Sequence, residues 1–305
     1  MKKSITYIIV TWNNENEIQE CLNSIEKYSD FEHKIIIVDN KSTDHTVNII
    51  NDKYHKVQLI VNDENLGFAQ ANNIGLKMVN TPYVCFINPD VVLTEDIVTP
   101  SIRELENNNS TGLVSCRLNN KDGSLQPSTF SFANSINLFN EILHIGAFMP
   151  QIICKKRFIN YYQPKEKFCP DWVIGAEMIM KTSDAKAVDG FSTDYYMYTE
   201  DMDLCAKVNK RLHKKVLYIP DISLVHLGGS SEKQNNSYNK QKKLFQNDLL
   251  FVGKFYGDKE AKKTKARMIK AYKLRMCLIR WFYRNGDKSL QIERTLSAIK
   301  LLDEI

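Results

Sequence analysis

The chain has 305 residues, 43% of them hydrophobic and 25% charged, and carries a net charge of +5. That is an ordinary composition for a soluble globular protein, long enough for one large domain or two smaller ones. No run approaches the roughly 18 to 20 uninterrupted apolar residues of a membrane span, and seven scattered cysteines without a CxxC argue against a disulfide framework or a cysteine zinc site and for a reducing cytosol.

Residues 1 to 115 alternate strand and helix signals. The opening MKKSITYIIVTWNNENE has two lysines and a short apolar run but no small-residue cleavage site, so it reads as a strand rather than a signal peptide. ITYIIVTW (5–12) is an apolar, β-branched run, and NENEIQECLNSIEKY after it places Ile18, Cys21, Leu22 and Ile25 on one helical face. HKIIIVDN (33–40) is a second strand ending in Asp39, and STDHTVNIINDKY predicts a helix capped by Ser42. VQLIVND (57–63) is a third strand, NLGFAQANNIGLKMV (65–79) a loop entering a helix, and YVCFINPD a fourth strand.

Short continuous apolar strands separated by helices predict a parallel α/β sheet covered on both faces. Ligands of such sheets sit outside the carboxyl ends of the strands. Thr11, Trp12, Asp39 and Asp90 all fall there. Asn88-Pro89-Asp90 reads on its own as a turn, since all three residues are turn formers; at a strand end of this sheet it also presents a carboxylate to a ligand.

Residues 116 to 230 are less regular. INLFNEILHIGAFM is apolar and suits a lid, a dimer contact or a membrane-facing helix. Glu200-Asp201-x-Asp203 precedes a helical pattern (Leu204, Val208, Leu212) with Thr199 as a candidate cap. Acids in a first turn complement the helix dipole, and the same placement suits a general base facing the cleft. His226 ends the strand YIPDISLV, either as a structural residue or as the imidazole partner of Asp90 on a divalent cation, Mg²⁺ or Mn²⁺.

Residues 231 to 305 are polar and then helical and basic. From 251 onward there are 14 Lys and Arg against 6 Asp and Glu, a surplus of +8 that leaves −3 for the rest. Such asymmetry marks an anionic partner. A stripe of Ile269, Tyr272, Met276, Ile279 and Tyr283, with Trp281 and Phe282 beside it, suits either a helix packed on the catalytic domain or one lying on an anionic leaflet. No RRM, KH or helix-turn-helix signature supports nucleic-acid binding, and no GxGxxG follows the first strand to support a dinucleotide oxidoreductase.

In order and spacing, IVTWNN, IIIVDNKSTDHT, NLGFAQANNIG, FINPDVVL, GAEMIMK, DGFSTDYYMYTEDMDL and VHLGGSS resemble the family 2 glycosyltransferases, especially bacterial rhamnosyltransferase-like members, over roughly residues 5 to 257. The resemblance implies the GT-A fold: a Rossmann-like, mostly parallel sheet with helices on both faces, here followed by a C-terminal helical extension. It implies a nucleotide-sugar-binding half over 1–115 and an acceptor-binding, catalytic half over 116–230.

By the same resemblance, Asp39 reads the pyrimidine base, Thr11 and Trp12 line its pocket, and Asn65, Gly67 and Asn72 pack near the nucleotide. Asn72 stands where many relatives have arginine. Asn88-Pro89-Asp90 stands for the family's DxD motif, with Asn88 beside the diphosphate and Asp90 and His226 on the metal. Trp172, Gly175 and Ala176 flank the sugar and acceptor. Glu200 and Asp201 are the acidic pair, with Asp201 the base. The implied activity is inverting, metal-dependent transfer of rhamnose from dTDP-rhamnose to a saccharide or lipid-linked saccharide of a surface polysaccharide. A UDP-hexose or UDP-N-acetylhexosamine donor, and a non-catalytic sugar-nucleotide-binding protein, are the alternatives. The cysteine usage points to the cytoplasm, and the leaflet alternative for the basic helix would add peripheral contact at the inner face of the membrane.

Overall fold

The computed structural model describes residues 4–195, 197–228, 237–282 and 286–305. Tyr196 of the DGFSTDYYMYTEDMDL motif, Gly229, Ser230 and Ser231 of the VHLGGSS motif, Tyr283 and Arg284 of the basic region, and the side chain of Phe282 lie outside the described residues.

In chain order the elements begin β1 (Ser4–Thr11), α1 (Ile18–Tyr28), β2 (Glu32–Asp39), α2 (Thr46–Lys53), β3 (Gln58–Val61), α3 (Gly67–Met78), β4 (Tyr83–Ile87), β5 (Val91–Leu93), α4 (Val98–Asn107), β6 (Thr111–Asn119) and β7 (Thr129–Phe130). After α5 (Ser135–Ile142), a 3₁₀ turn (Ile145–Phe148) and α6 (Gln151–Arg157) come β8 (Trp172–Val173), β9 (Glu177–Lys181), α7 (Thr182–Ala187), α8 (Glu200–Leu212) and β10 (Lys215–His226). Three helices follow: α9 (Ser237–Tyr256), α10 (Asp258–Phe282) and α11 (Lys288–Glu304).

These elements form two compact units, Met1–Phe130 with Pro164–Lys233, and Ser131–Gln163 with Gln234–Ile305. The expected 115/116 boundary falls inside β6, a strand shared by one continuous sheet. The segment 131–163 belongs with the C-terminal helices.

The first unit is built on an eight-stranded sheet of order β3-β2-β1-β4-β9-β6-β10-β5. β1, β2, β3 and β4 are parallel, as their apolar β-branched runs predict, but β9 enters antiparallel between β4 and β6, and β5 is antiparallel on the edge. The sheet is therefore mixed beyond β4. Helix α1 buries Ile18, Cys21, Leu22 and Ile25, the face its spacing predicts. It starts at Ile18 because residues 13 to 15 serve another purpose. Asn14 N–H donates to Thr46 Oγ1 (2.8 Å), Glu15 N–H to Asp44 Oδ2 (3.0 Å), and the Glu15 carboxylate accepts from His45 N–H (2.9 Å). The loops after β1 and β2 are thereby latched together.

Ser42 does not cap α2. Its hydroxyl donates to Asp39 Oδ2 (2.5 Å) and accepts from Asn13 N–H (2.9 Å), while Asp44 Oδ1 accepts from Thr46 N–H (3.0 Å) at the true helix start. The carboxylate takes the serine proton in a charge-assisted hydrogen bond, the stronger kind, and the Asn13 amide takes the oxygen lone pair that a cap would offer a helix N–H.

The loop entering α8 is held by Asn73 of α3, whose Nδ2 donates to Phe191 O (2.7 Å) and whose Oδ1 accepts from Phe191 N–H (2.8 Å). Gly190 precedes it at φ +57, where an added Cβ would stand 2.3 Å from Asn73 Oδ1. Asn73→Ala leaves both Phe191 backbone groups unpartnered and is expected to lower stability by about 1–3 kcal/mol. A urea titration with unchanged m and a lower midpoint is the expected readout; an unchanged midpoint would show that the clamp does not matter.

The second unit is helical. α5, α9, α10 and α11 pack around Ile142, Phe245, Met268, Ala271, Ala298, Leu301 and Leu302. Arg267 and Glu260 of α10 both bond the Ser135 hydroxyl, and Arg275 donates to Ile142 O (3.1 Å). INLFNEILHIGAFM is thus one helix and a 3₁₀ turn. Among the described residues no helix is long and apolar enough to cross a membrane.

Candidate functional site

A cavity of about 280 Å³ opens in the first unit at the carboxyl ends of β1 and β4. Its wall includes Trp12, Asn65, Gly67, Asn88, Asp90, Gly175, Ala176, Glu200, Asp201 and His226, so ten of the residues singled out in the sequence converge on one space. They arrive from β1, the start of α3, the tip of β4, the β8–β9 turn, the start of α8 and the end of β10.

The tip of β4 is a turn and a ligand platform at once. Asn88 N–H donates to Ala176 O (3.0 Å) and Leu227 N–H to Asp90 O (2.9 Å), which leaves the Asp90 carboxylate beside His226, Oδ1 to Nε2 3.3 Å. His226 Nδ1 meets Gln126 Oε1 at 2.8 Å. Because that oxygen only accepts, Nδ1 donates to it, and Nε2 is the ring nitrogen that faces Asp90. An acceptor on the far ring nitrogen, orienting the imidazole, is the arrangement metal-binding histidines use. A carboxylate and an imidazole lone pair fit a divalent cation whose remaining ligands come from elsewhere. Among the described residues no group of three or more His, Cys, Asp or Glu side chains stands ready to hold a metal alone.

Glu200 and Asp201 open α8. Thr199 stands at the cap position with φ +79 and Tyr198 before it at φ +69; the threonine side chain does not cap. Two successive left-handed non-glycine residues are costly and mark sites where structure over-determines the backbone. Here they turn Met197 and Tyr198 onto the cavity wall. Asp201 is held by Gly175 N–H on Oδ2 (3.0 Å) and Met202 N–H on Oδ1 (2.8 Å). Glu200 Oε2 is buried with no hydrogen-bond partner among the described residues.

Burial pushes the Glu200 carboxyl up to about 8, and the neighbouring Asp201 charge adds to the rise. Burial also lifts Asp201, to about 6, against the Met202 and Gly175 amides that hold it down. Two adjacent carboxyls so placed share protons near neutrality. Folded Glu200 keeps its proton to about pH 8, whereas its ordinary value is 4.5. Its contribution therefore favours the folded state at low pH and is lost as pH rises through that window. Glu200→Gln is expected to raise Tm over wild type by an increment that grows from pH 5 to 9; parallel melting curves across that range would contradict it.

Four expected residues do not line the cavity. Asp39 is fully buried, its carboxylate taking the Thr11 hydroxyl (2.7 Å), the Ser42 hydroxyl and Ser42 N–H (2.8 Å), and Thr11 is buried with it. Asn72 is buried on α3 with its amide donating back to Phe68 O (3.0 Å). Trp172 stacks on Phe130 at 4.8 Å in the two-stranded β7–β8 sheet. In their place the wall takes Val10, Asn14, Asn40, Phe68, Pro89 and Ile174. Asn40 directly follows β2 and was within reach of the strand-end rule, whereas Phe68, Met197 and Tyr198 lie inside motifs of the family resemblance and Ile174 between Trp172 and Gly175, with nothing in the sequence to single them out.

Comparison with known proteins shows the family and the fold. The chain is similar to the rhamnosyltransferase WbbL of Escherichia coli K12, 27% identical over 72% of this chain and 81% of that protein. It is also similar to the N-acetylglucosaminyl-diphospho-decaprenol L-rhamnosyltransferase of Mycobacterium tuberculosis, 23% identical over 74% and 76%. Its structure matches a Pyrobaculum calidifontis mannosyltransferase solved with GDP-Man and Mn²⁺, at TM-score 0.57 and 15% identity over 99% of this chain and 86% of that one. The fold is GT-A. With the model for glycosyl transferase family 2 matching residues 6–165, which run from within β1 through β4 and the Asn88-Pro89-Asp90 tip, the chain belongs to that family and is a glycosyltransferase.

Proposed function

We propose that the chain is an inverting glycosyltransferase that moves rhamnose from a dTDP-linked donor onto a saccharide or lipid-linked saccharide during surface polysaccharide synthesis. The names of the two similar rhamnosyltransferases support the sugar, and the second of them supports a lipid diphosphate carrier on the acceptor. The observation that carries the reading is one cavity walled by both the Asp90–His226 pair and the Glu200–Asp201 pair. The first pair suits a leaving diphosphate and the second an attacking hydroxyl.

The chemistry follows from what each group can hold. The acceptor hydroxyl forms a new bond to the anomeric carbon as the bond from that carbon to the diphosphate oxygen breaks. Its proton passes to Asp201, whose carboxylate is aimed by the Gly175 and Met202 amides. Glu200, protonated at neutral pH, keeps the second negative charge out of the pair and leaves Asp201 the ionised member. Trp12 offers a ring face on the cavity wall for the base, and Asn65, closed by its bond from Gly67 N–H (2.9 Å), shapes the nucleotide side. A divalent cation, Mg²⁺ or Mn²⁺, held by Asp90 and His226 would neutralise charge gathering on the diphosphate.

The test is transfer from dTDP-rhamnose, UDP-glucose and UDP-N-acetylglucosamine to a diphospholipid-linked N-acetylglucosamine acceptor, each with and without Mn²⁺. Metal-dependent rhamnosyl transfer is the expected result. Transfer from a UDP sugar alone would reassign the donor. Failure of every donor even to stabilise the protein would point to a non-catalytic member of the fold.

A further inference from the structure

The charge of this protein is divided between its units. The helical unit carries 20 Lys and Arg against 8 Asp and Glu, a net +12, which leaves −7 on the unit that holds the cavity. Helix α10 turns Met268, Ala271 and Ile279 inward, yet its outer face is not uniformly polar. Leu274 and Leu278 are each 43% exposed and Trp281 is 81% exposed, at spacings i, i+4 and i+7. Exposed Lys270, Lys273 and Arg280 flank them.

A second apolar point stands in the same unit. Phe148 is 83% and Ile152 75% exposed, ahead of Lys155, Lys156 and Arg157 in the last turn of α6. Contiguous exposed apolar side chains rimmed by one sign of charge mark an interaction surface.

We propose that the helical unit docks on an anionic phospholipid surface, with Leu274, Leu278 and Trp281 entering the headgroup boundary and the flanking cations meeting the lipid charges. Charge complementarity selects the partner: a bilayer takes both features at once, an indole at the interface with aliphatic side chains below it and basic residues toward the phosphates. A nucleic acid would use the cations and find no role for aliphatic side chains. The proposal stands on the helical unit alone and not on the transferase reading.

The test is co-sedimentation of the full chain with 100 nm vesicles of phosphatidylcholine alone and of phosphatidylcholine with phosphatidylglycerol, together with tryptophan emission. Binding is expected with the anionic vesicles only, accompanied by a blue shift that Trp281→Phe removes while Trp12 and Trp172 stay. Leu278→Ser with Trp281→Ser is expected to weaken partition at least tenfold, and Lys270→Gln, Lys273→Gln and Arg280→Gln together by roughly 10²-fold, at about one decade or less per cation. All these side chains are exposed, so Tm should hold and folding is not confounded. No sedimentation with anionic vesicles, equal sedimentation with both compositions, or wild-type partition by the Leu278–Trp281 variant would overturn the proposal. So would binding to a DNA duplex or an acidic protein with no vesicle binding. Donor is absent from the assay, so its outcome and that of the transfer assay are independent.

Discussion

Asp201→Asn is expected to lower kcat by about 10²- to 10⁴-fold, the usual worth of a positioned general base, while leaving nucleotide binding intact. The asparagine is nearly isosteric, and its carbonyl oxygen can still accept from Gly175 N–H, so the β8–β9 turn keeps its tie to α8. The stability effect has the opposite sign. Folded Asp201 titrates near 6 against an ordinary 3.8, so its contribution favours the folded state at low pH and is lost as pH rises through that window. At pH 8 the variant should therefore melt no lower than wild type. The wild-type rate should fall as pH drops through about 6, because protonation removes the base. Near-normal turnover in a folded Asp201→Asn protein would sink the assignment. A Tm loss of many degrees would make the residue a structural one instead.

Asp90→Ala is expected to abolish the part of nucleotide stabilisation that depends on Mn²⁺ and to lower kcat by about 10²- to 10³-fold, the scale for losing one electrostatic stabiliser of a developing charge. A diphosphate nucleotide at 100 times its Kd stabilises the folded state by about 2.7 kcal/mol, which is roughly 5–10 °C for a unit of this size. Differential scanning fluorimetry of wild type and variant with dTDP and UDP, with and without Mn²⁺, reads this directly. The backbone here is held without the side chain, by Leu227 N–H on Asp90 O, so the variant should fold. His226→Ala should share the phenotype, since the two side chains stand 3.3 Å apart. A Mn²⁺ increment that survives both substitutions would move the cation elsewhere.

The glycosyltransferase fold and most of the cavity wall were legible because they depend on local rules. An apolar β-branched run specifies a strand, its carboxyl end specifies where a ligand sits, and Asn88-Pro89-Asp90 and Glu200-Asp201 fall at element ends that local pattern can locate. The helical face of α1 and the alternation from β1 to β4 needed nothing beyond periodicity.

Tertiary structure decided what depends on which groups compete for the same partner. Ser42 looked like a cap, but its hydroxyl donates to Asp39 three residues back and accepts from Asn13 N–H instead of a helix amide. Asp39 and Thr11 stand at strand ends as expected, yet they bond each other and do not line the cavity, and Asn40 and Asn14, themselves nearly fully buried, stand on its wall. Asn72 turned inward on α3 and Trp172 onto Phe130 because helix rotation and aromatic stacking are set by neighbours far off in sequence. The mixed sheet has the same origin: β9, seen in the sequence only as part of the GAEMIMK motif, takes its place and direction from pairing with β4 and β6. Sequence alone thus determined the family, the parallel start of the sheet and the acidic positions of the site. Which side chains face the cavity, and the raised protonation of the Glu200–Asp201 pair, came from burial, a property no residue has until the chain is folded.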